Sequence, residues 1–411
     1  MSTGMKIVII EPAGKGAMAH YVFQLARAMA AEGADVVLIT EKNCELAALP
    51  RAFSLDPSIE LWDAKPSGRQ SQGIAARTWR KVRRAFRAVR YYREWLRLIR
   101  RVETLDADVI QLGDIRFPTD YFPLRRLRRR ARILADVCHN VRPYAGTGTF
   151  ARSSLRRALY GRAYALFDHV FVHFERNRRE LLATYAVPES RVTTIVHGNE
   201  EIFGELADPR VHADALRERH GIPPDQDVVL FFGTLSNYKG TDLLLRAFPR
   251  IHAETGARLV VAGFPAPGFD LEARKRIARE TGIESAVTWV AEYVPAGEVA
   301  AWMRLASVIV FPYRDVYQSG ALHVAQTFGV PTVATAVGAM SDVIEHEVSG
   351  LLVPAGDVTA LSSAVVRLLR DRDLAARLGA RAAQDARDRF SWRGVARTLL
   401  RAYAQTHPGR C

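Results

Sequence analysis

The chain is poor in cysteine, has fewer acids than bases, and lacks any long apolar run. Its 411 residues hold three cysteines, Cys44, Cys138 and Cys411, at spacings that suit neither a disulfide framework nor a thiolate metal site. Such scarcity fits a reducing compartment better than a secreted scaffold. No apolar stretch approaches the roughly 20 residues that span a bilayer. The opening MSTGMKIVII reads as a start and a strand, not as a signal peptide. The expectation is a soluble, cytoplasmic chain, at most peripheral at the inner face of a membrane.

Acids are outnumbered, 44 against 58 Lys and Arg, for a formal net charge of +14. The excess is clustered. Residues 77–101 carry eleven Arg or Lys and one acid, Glu94, and residues 125–132 add six Arg and no acid. Such patches mark surfaces for anionic partners, either membrane lipid or nucleic acid. Within 77–101, Trp79, Phe86, Tyr91, Tyr92, Trp95 and Leu98 are interleaved with Arg80, Lys81, Arg83, Arg84, Arg87 and Arg90. Aromatics among cations predict a helix that meets anionic lipid or the acceptor there. A solvated basic face with one core stripe is the competing reading. No nucleic-acid motif accompanies the charge, so no nucleic-acid partner is expected.

The length and a 48% apolar content predict two α/β domains. Buried-looking strands alternate with helices: KIVII (6–10), DVVLIT (35–40), DVIQLG (108–113), RILADV (132–137), HVFVHF (169–174) and VTTIVHG (192–198). After a polar stretch at 199–226, read as the linker, the alternation restarts with VVLFFG (228–233), RLVVAG (258–263), VTWV (287–290), SVIVF (307–311), PTVAT (331–335) and GLLV (350–353). Continuous Val/Ile runs between helices indicate parallel sheets covered on both faces. The expected domains are 1–200, 201–389, and a final helix at 390–411 that crosses back to the first.

Three loops stand out. Residues 313–320, between a strand and a helix beginning near Gly320, offer a helix N-terminus to a phosphate. Residues 233–241, GTLSNYKGT, place Lys239 between a strand and a helix. Lysine there can neutralise phosphate as a point charge. The order is not that of a Walker motif. In the first half, Gly14 and Gly16 lie between the first strand and helix, but position 19 is Ala and no acid ends the second strand. A dinucleotide site is therefore poorly supported.

The stretches FFGTLSNYKGTDLLLRAF, LVVAGF and SVIVFPYRDVYQSGALHVAQTFGVPTVATAVGAMSDVIEHEVSGLLVPAGD resemble the C-terminal domain of retaining GT-B glycosyltransferases, and more narrowly family 4, the exopolysaccharide and glycolipid type. His20 to Ala26, His139-Asn140, FVHFERNRREL (171–181) and HGN (197–199) agree in the first half. The resemblance implies a GT-B fold, two Rossmann-like doubly wound domains facing a cleft. It implies transfer of a hexose from a nucleotide sugar to a lipid-linked or glycan acceptor, without cofactor or metal. It places Lys239 on the donor diphosphate, Gln318, Ser319 and Gly320 on the distal phosphate, and Gly14 to Gly16 near the donor sugar and diphosphate. His139 would face that sugar; Gly233 belongs to the donor loop, and Gly263, Tyr293 and Val294 border the base. The chain departs from the family at its Glu-x7-Glu pair, where Val316 and Val324 stand, and at Thr234 in place of Arg. Those losses leave two alternatives open: a degenerate binding subunit of an active partner, and a nucleotide-sugar epimerase. The letters Asp106-Ala107-Asp108 match a metal-binding pair but open a buried strand, so flanking charge is the preferred reading.

Overall fold

A computed structural model of the chain describes residues 4–60, 74–142 and 154–406, with backbone only for 74–85. It divides into two compact units, Met1–Ile195 with Val395–Cys411, and Val196–Gly394.

Unit 1 is built on seven parallel strands: β1 (Lys6–Glu11), β2 (Asp35–Glu41), β3 (Ser54–Ile59), β4 (Val109–Leu112), β5 (Ile133–Cys138), β6 (His169–His173) and β7 (Val192–Ile195). Their order is β3-β2-β1-β4-β5-β6-β7. Strands β4, β5 and β6 are buried from end to end, and β1 all but Lys6, because helices cover both faces. Unit 2 repeats the plan with six strands: β8 (Val228–Phe232), β9 (Arg258–Ala262), β10 (Val287–Val290), β11 (Val308–Phe311), β12 (Thr332–Thr335) and β13 (Leu351–Val353). Their order is β10-β9-β8-β11-β12-β13. In each sheet the strand order reverses beside the first strand, between β1 and β4 and between β8 and β11. Open α/β sheets bind ligands just beyond the carboxyl ends of the strands at such a reversal. The loops after β1, β4, β8 and β11 are therefore the ones to inspect.

Two features differ from the sequence reading. β3 lies within the stretch read as variable; its sequence, SLDPSI, is polar and contains Pro57, which only an edge strand tolerates. The polar 199–226 stretch is not a linker. It folds into unit 2 as helices Ile202–Glu205 and Ala213–His220, and the chain passes between units at 195–196 instead. The helix Trp392–Thr406 delivers its later residues to unit 1, where Tyr403 donates a hydrogen bond to Gln111 Oε1 of β4 and packs edge-on against Phe171 of β6.

Candidate functional site

In unit 2 the chain leaves β8 through Gly233, whose φ of +109° suits glycine. A 3-10 turn, Asn237–Lys239, follows, closed by Gly240 at φ +66°. A side chain at Gly240 would collide with the carbonyl of Pro312 after β11, so glycine lets the two loops touch. This packing directs Lys239 inward. The residue is 8% exposed, and its ammonium lies 5.4 Å from the centre of the Tyr313 ring. Among the described residues no carboxylate pairs with it; burial alone lowers its pKa to about 8. A Cβ on Gly233 would lie 3.1 Å from Lys239 Nζ and 3.6 Å from Ala321 Cβ. Lys239 and the first turn of helix Gly320–Thr327 thus converge over Gly233.

Ser319 caps that helix, its hydroxyl accepting from the Leu322 N–H at 3.3 Å. Beside it, Gln318 Oε1 is buried with no partner among the described residues. A buried cation, a helix N-terminus and an unmet amide oxygen form a pocket suited to a phosphate and a neighbouring hydroxyl. Gly263 leaves β9 at φ +148°, and a Cβ there would strike the Gly233 carbonyl. Tyr293, exposed, and Val294, half-buried, lie in the loop after β10. Val316 and Val324 are buried in the core. One carboxylate that the sequence reading passed over lies here: Glu200 is buried, its N–H donates to Thr327 Oγ1 at 2.9 Å, and its Oε1 lies beside Gly320. The nearby HGN segment was its only sequence signal.

Unit 1 is arranged differently. The loop after β1 has its N–H groups taken by the chain's own carboxylates. Ala13 donates to Glu11 at 2.7 Å, Gly14 to Glu41 at 3.3 Å and Gly16 to Glu45 at 2.7 Å. Glu45 also meets His20 at 2.8 Å. Gly14 packs against Glu41 and Asn43, while Gly16, at φ +79°, opens the helix Ala17–Ala31. The expected diphosphate neighbour is thus a loop already filled with negative charge. His139 follows β5 and is buried: its Nδ1 lies 3.2 Å from His173 Nε2, and its ring meets Tyr21 edge-on. The backbone brings His139 to a strand end, and its ring packs inside unit 1. Asp106 and Asp108 are structural: both pair with Arg132, and Asp108 Oδ2 accepts from the Lys6 N–H. Neither carboxyl oxygen of Asp136 has a partner among the described residues.

The basic helix spans Ile74–Leu105. The side chains of Trp79, Arg80, Lys81, Arg83 and Arg84 lie outside those described. Phe86, 72% exposed, with Val89, Tyr92 and Arg90, forms an outer stripe, and Arg87 is half-buried. Arg126 of the neighbouring helix Tyr121–Arg128 reaches Tyr92 Oη at 3.4 Å, and Phe122 is exposed beside it. Trp95 is a correction. It is 6% exposed, packed with Leu98, Ile99 and Val102 on the inner stripe, because an amphipathic helix must bury one of its two aromatic faces.

Among the described residues no helix is long and apolar enough to cross a membrane. Residues 16–198 match the family described as glycosyl transferase 4-like domain, and residues 226–371 the family described as glycosyl transferases group 1. A D-inositol 3-phosphate glycosyltransferase of Thermobispora bispora is 32% identical over 246 residues, 58% of this chain and 56% of that protein. The match therefore takes in little more than half of that relative. A protein of the same name from Xylanimonas cellulosilytica is 26% identical over 407 residues, 95% of this chain and 92% of its own length. Among solved structures, Anabaena HepE in complex with UDP and glucose superposes with a TM-score of 0.70 at 15% identity, covering 98% of this chain and 100% of that one. With a glycosyl transferase 4-like half followed by a group 1 half, each on its own parallel sheet, the chain belongs to the glycosyltransferases of the GT-B fold.

Proposed function

We propose that the chain transfers a hexose, with retention, from a nucleoside-diphosphate sugar to a lipid-linked or glycan acceptor in surface polysaccharide or glycolipid assembly. The observation that carries this reading is Lys239, a buried ammonium with no counter-charge among the described residues, beside a helix N-terminus at the unit 2 switch point. Its desolvation is costly unless an anion completes the site. A diphosphate leaving group does so, and gains most as its charge grows in the transition state. Gln318 and Ser319 supply polar contacts to the distal phosphate and sugar where the family's carboxylates are replaced by Val316 and Val324. The leaving phosphate oxygen then takes the acceptor's proton. No metal is needed in this scheme, so turnover is expected to survive excess EDTA.

The test is the thermal transition of the full chain with UDP, GDP, ADP, CMP and dTDP, for wild type and Lys239→Ala. One diphosphate should raise the transition, and the variant should lose that rise. No rise with any of them would favour the binding-subunit reading. The D-inositol 3-phosphate glycosyltransferases among its relatives favour a second acceptor, a phosphorylated cyclitol.

We also propose that the outer stripe of Phe86, Val89 and Tyr92, with Arg90 and Arg126, docks on anionic lipid. Removing the charge of Arg87, Arg90 and Arg93 together should weaken binding to phosphatidylserine vesicles, by about 1 kcal/mol per charge. Turnover on a water-soluble acceptor should be preserved. Equal losses in both would refute the docking.

A further inference from the structure

The unit 1 switch point carries an acidic corner that the donor site does not use. Asp114 stands two residues beyond β4 and is half-buried. Behind it, Asp136 of β5 lies in register with Leu112 and is fully buried, and neither of its carboxyl oxygens has a partner among the described residues. β4 and β5 are adjacent, so Asp114 leaves the strand next to Asp136, and its charge adds to burial in raising the Asp136 pKa. Among the described residues two further acids and several neutral polar groups surround Asp114. From β1 comes Glu11, held by the Ala13 N–H and by Arg116 Nη2 at 2.6 Å. From the turn after β4 comes Asp120, which accepts from Tyr91 Oη at 2.8 Å and from the Phe117 N–H. From β5 comes Cys138, and from helix Ser154–Tyr164 come Tyr160 and Tyr164, whose hydroxyls donate to the Arg116 carbonyl and to Cys138 Sγ. Arg116 is the cation acting on Asp114, and Glu11 already engages it.

We propose that Asp114, backed by Asp136, hydrogen-bonds the hydroxyls of the acceptor, and that the acceptor presents an uncharged polyol or sugar face to unit 1 rather than a phosphate. The inference rests on the glycosyltransferase reading above and narrows its acceptor. A buried carboxyl without a partner is costly, and a hydroxyl, which both donates and accepts, satisfies it. A phosphate placed here would face Glu11, Asp114 and Asp120 across one neutralised arginine. Burial first, and Glu11 second, raise the Asp114 pKa to about 7. Below that pH Asp114 is neutral; above it, the carboxylate accepts a charge-assisted bond from a hydroxyl and repels phosphate more strongly.

The probes are myo-inositol and D-inositol 3-phosphate, which differ by the phosphate alone. Release of nucleoside diphosphate by the full chain is measured at pH 6 and pH 8 with each, against donor hydrolysis without acceptor. Myo-inositol should stimulate release, with a KM about fivefold lower at pH 8. Asp114→Asn should raise that KM about tenfold and flatten its pH dependence, and the nucleotide thermal shift of the variant reports whether its donor site is intact. Asp136→Asn, equal in volume, should raise the KM less. A preference for D-inositol 3-phosphate, no stimulation by myo-inositol, or an Asp114→Asn enzyme with unchanged KM and pH profile would overturn the inference. If nucleotide binding and donor hydrolysis persist in that case, only the acceptor assignment falls. If no nucleotide binds, the function proposed above falls with it.

Discussion

The two glycine loops occupy equivalent places in the two sheets, one after β1 and one after β8, yet they carry opposite charge. The loop after β8 holds a buried Lys239, neutralised by no carboxylate among the described residues, beside a helix N-terminus. The loop after β1 directs its N–H groups onto Glu11, Glu41 and Glu45. The same backbone plan thus makes an anion receptor in one unit and an anion-filled turn in the other. Glycine and strand order build the concavity; the side chains around it decide what it holds.

The sharpest way to break the contrast is Gly233→Ala. The new methyl would enter the space between Lys239 and Ala321, at a φ that strains any side chain by about 1–3 kcal/mol. Nucleoside diphosphate affinity, measured by calorimetry, should fall well over tenfold. An unchanged affinity would mean that the ligand does not lie over Gly233.

A smaller effect follows from pH. Lys239 is charged below a pKa of about 8 and binds an anion in that form. Bound diphosphate holds the proton on, so affinity should drop about tenfold between pH 7 and pH 9. The drop should vanish in Lys239→Ala. Persistence of the same slope in the variant would assign the titration elsewhere.

The smallest effect is expected in the other loop. Glu45→Gln weakens the bonds to Gly16 and His20 and should cost about 1 kcal/mol of stability. It should leave nucleotide affinity within twofold, roughly the error of the method. A marked change in affinity would give the loop after β1 a share in donor binding and erase the contrast.

Much of this was legible in the sequence, and the misses have physical causes. Strand-length runs of Val and Ile located most strands to within a residue or two, because strands buried on both faces have no polar alternation to blur them. β3 escaped because an exposed edge strand is mostly polar and tolerates Pro57. The Lys239 loop was legible, since its parts are local to one strand–helix turn. The carboxylates on Gly14 and Gly16 were not: β2 runs one residue past its expected end to the acid Glu41, Glu45 follows it, and spacing along the chain does not show their approach. Asp114 and Asp136 come to one end of the sheet on adjacent strands only because β4 and β5 are neighbours. Strand-end acids in DVIQLGD and RILADV were a usable signal, had both been placed on one edge. Trp95 and Phe86 belong to the same basic helix, and composition could not say which aromatic faces inward.

The return of the last helix to unit 1 has a consequence for the order of synthesis. Gln111 of β4 waits for Tyr403, nearly three hundred residues later. Unit 1 is translated first but keeps an uncovered sheet face until the end. At about 5–20 residues per second, the 211 residues from Ile195 to Thr406 take roughly 10–40 s to emerge. During that interval unit 2 can complete its own sheet, and the older half of the polypeptide is the last to be sealed.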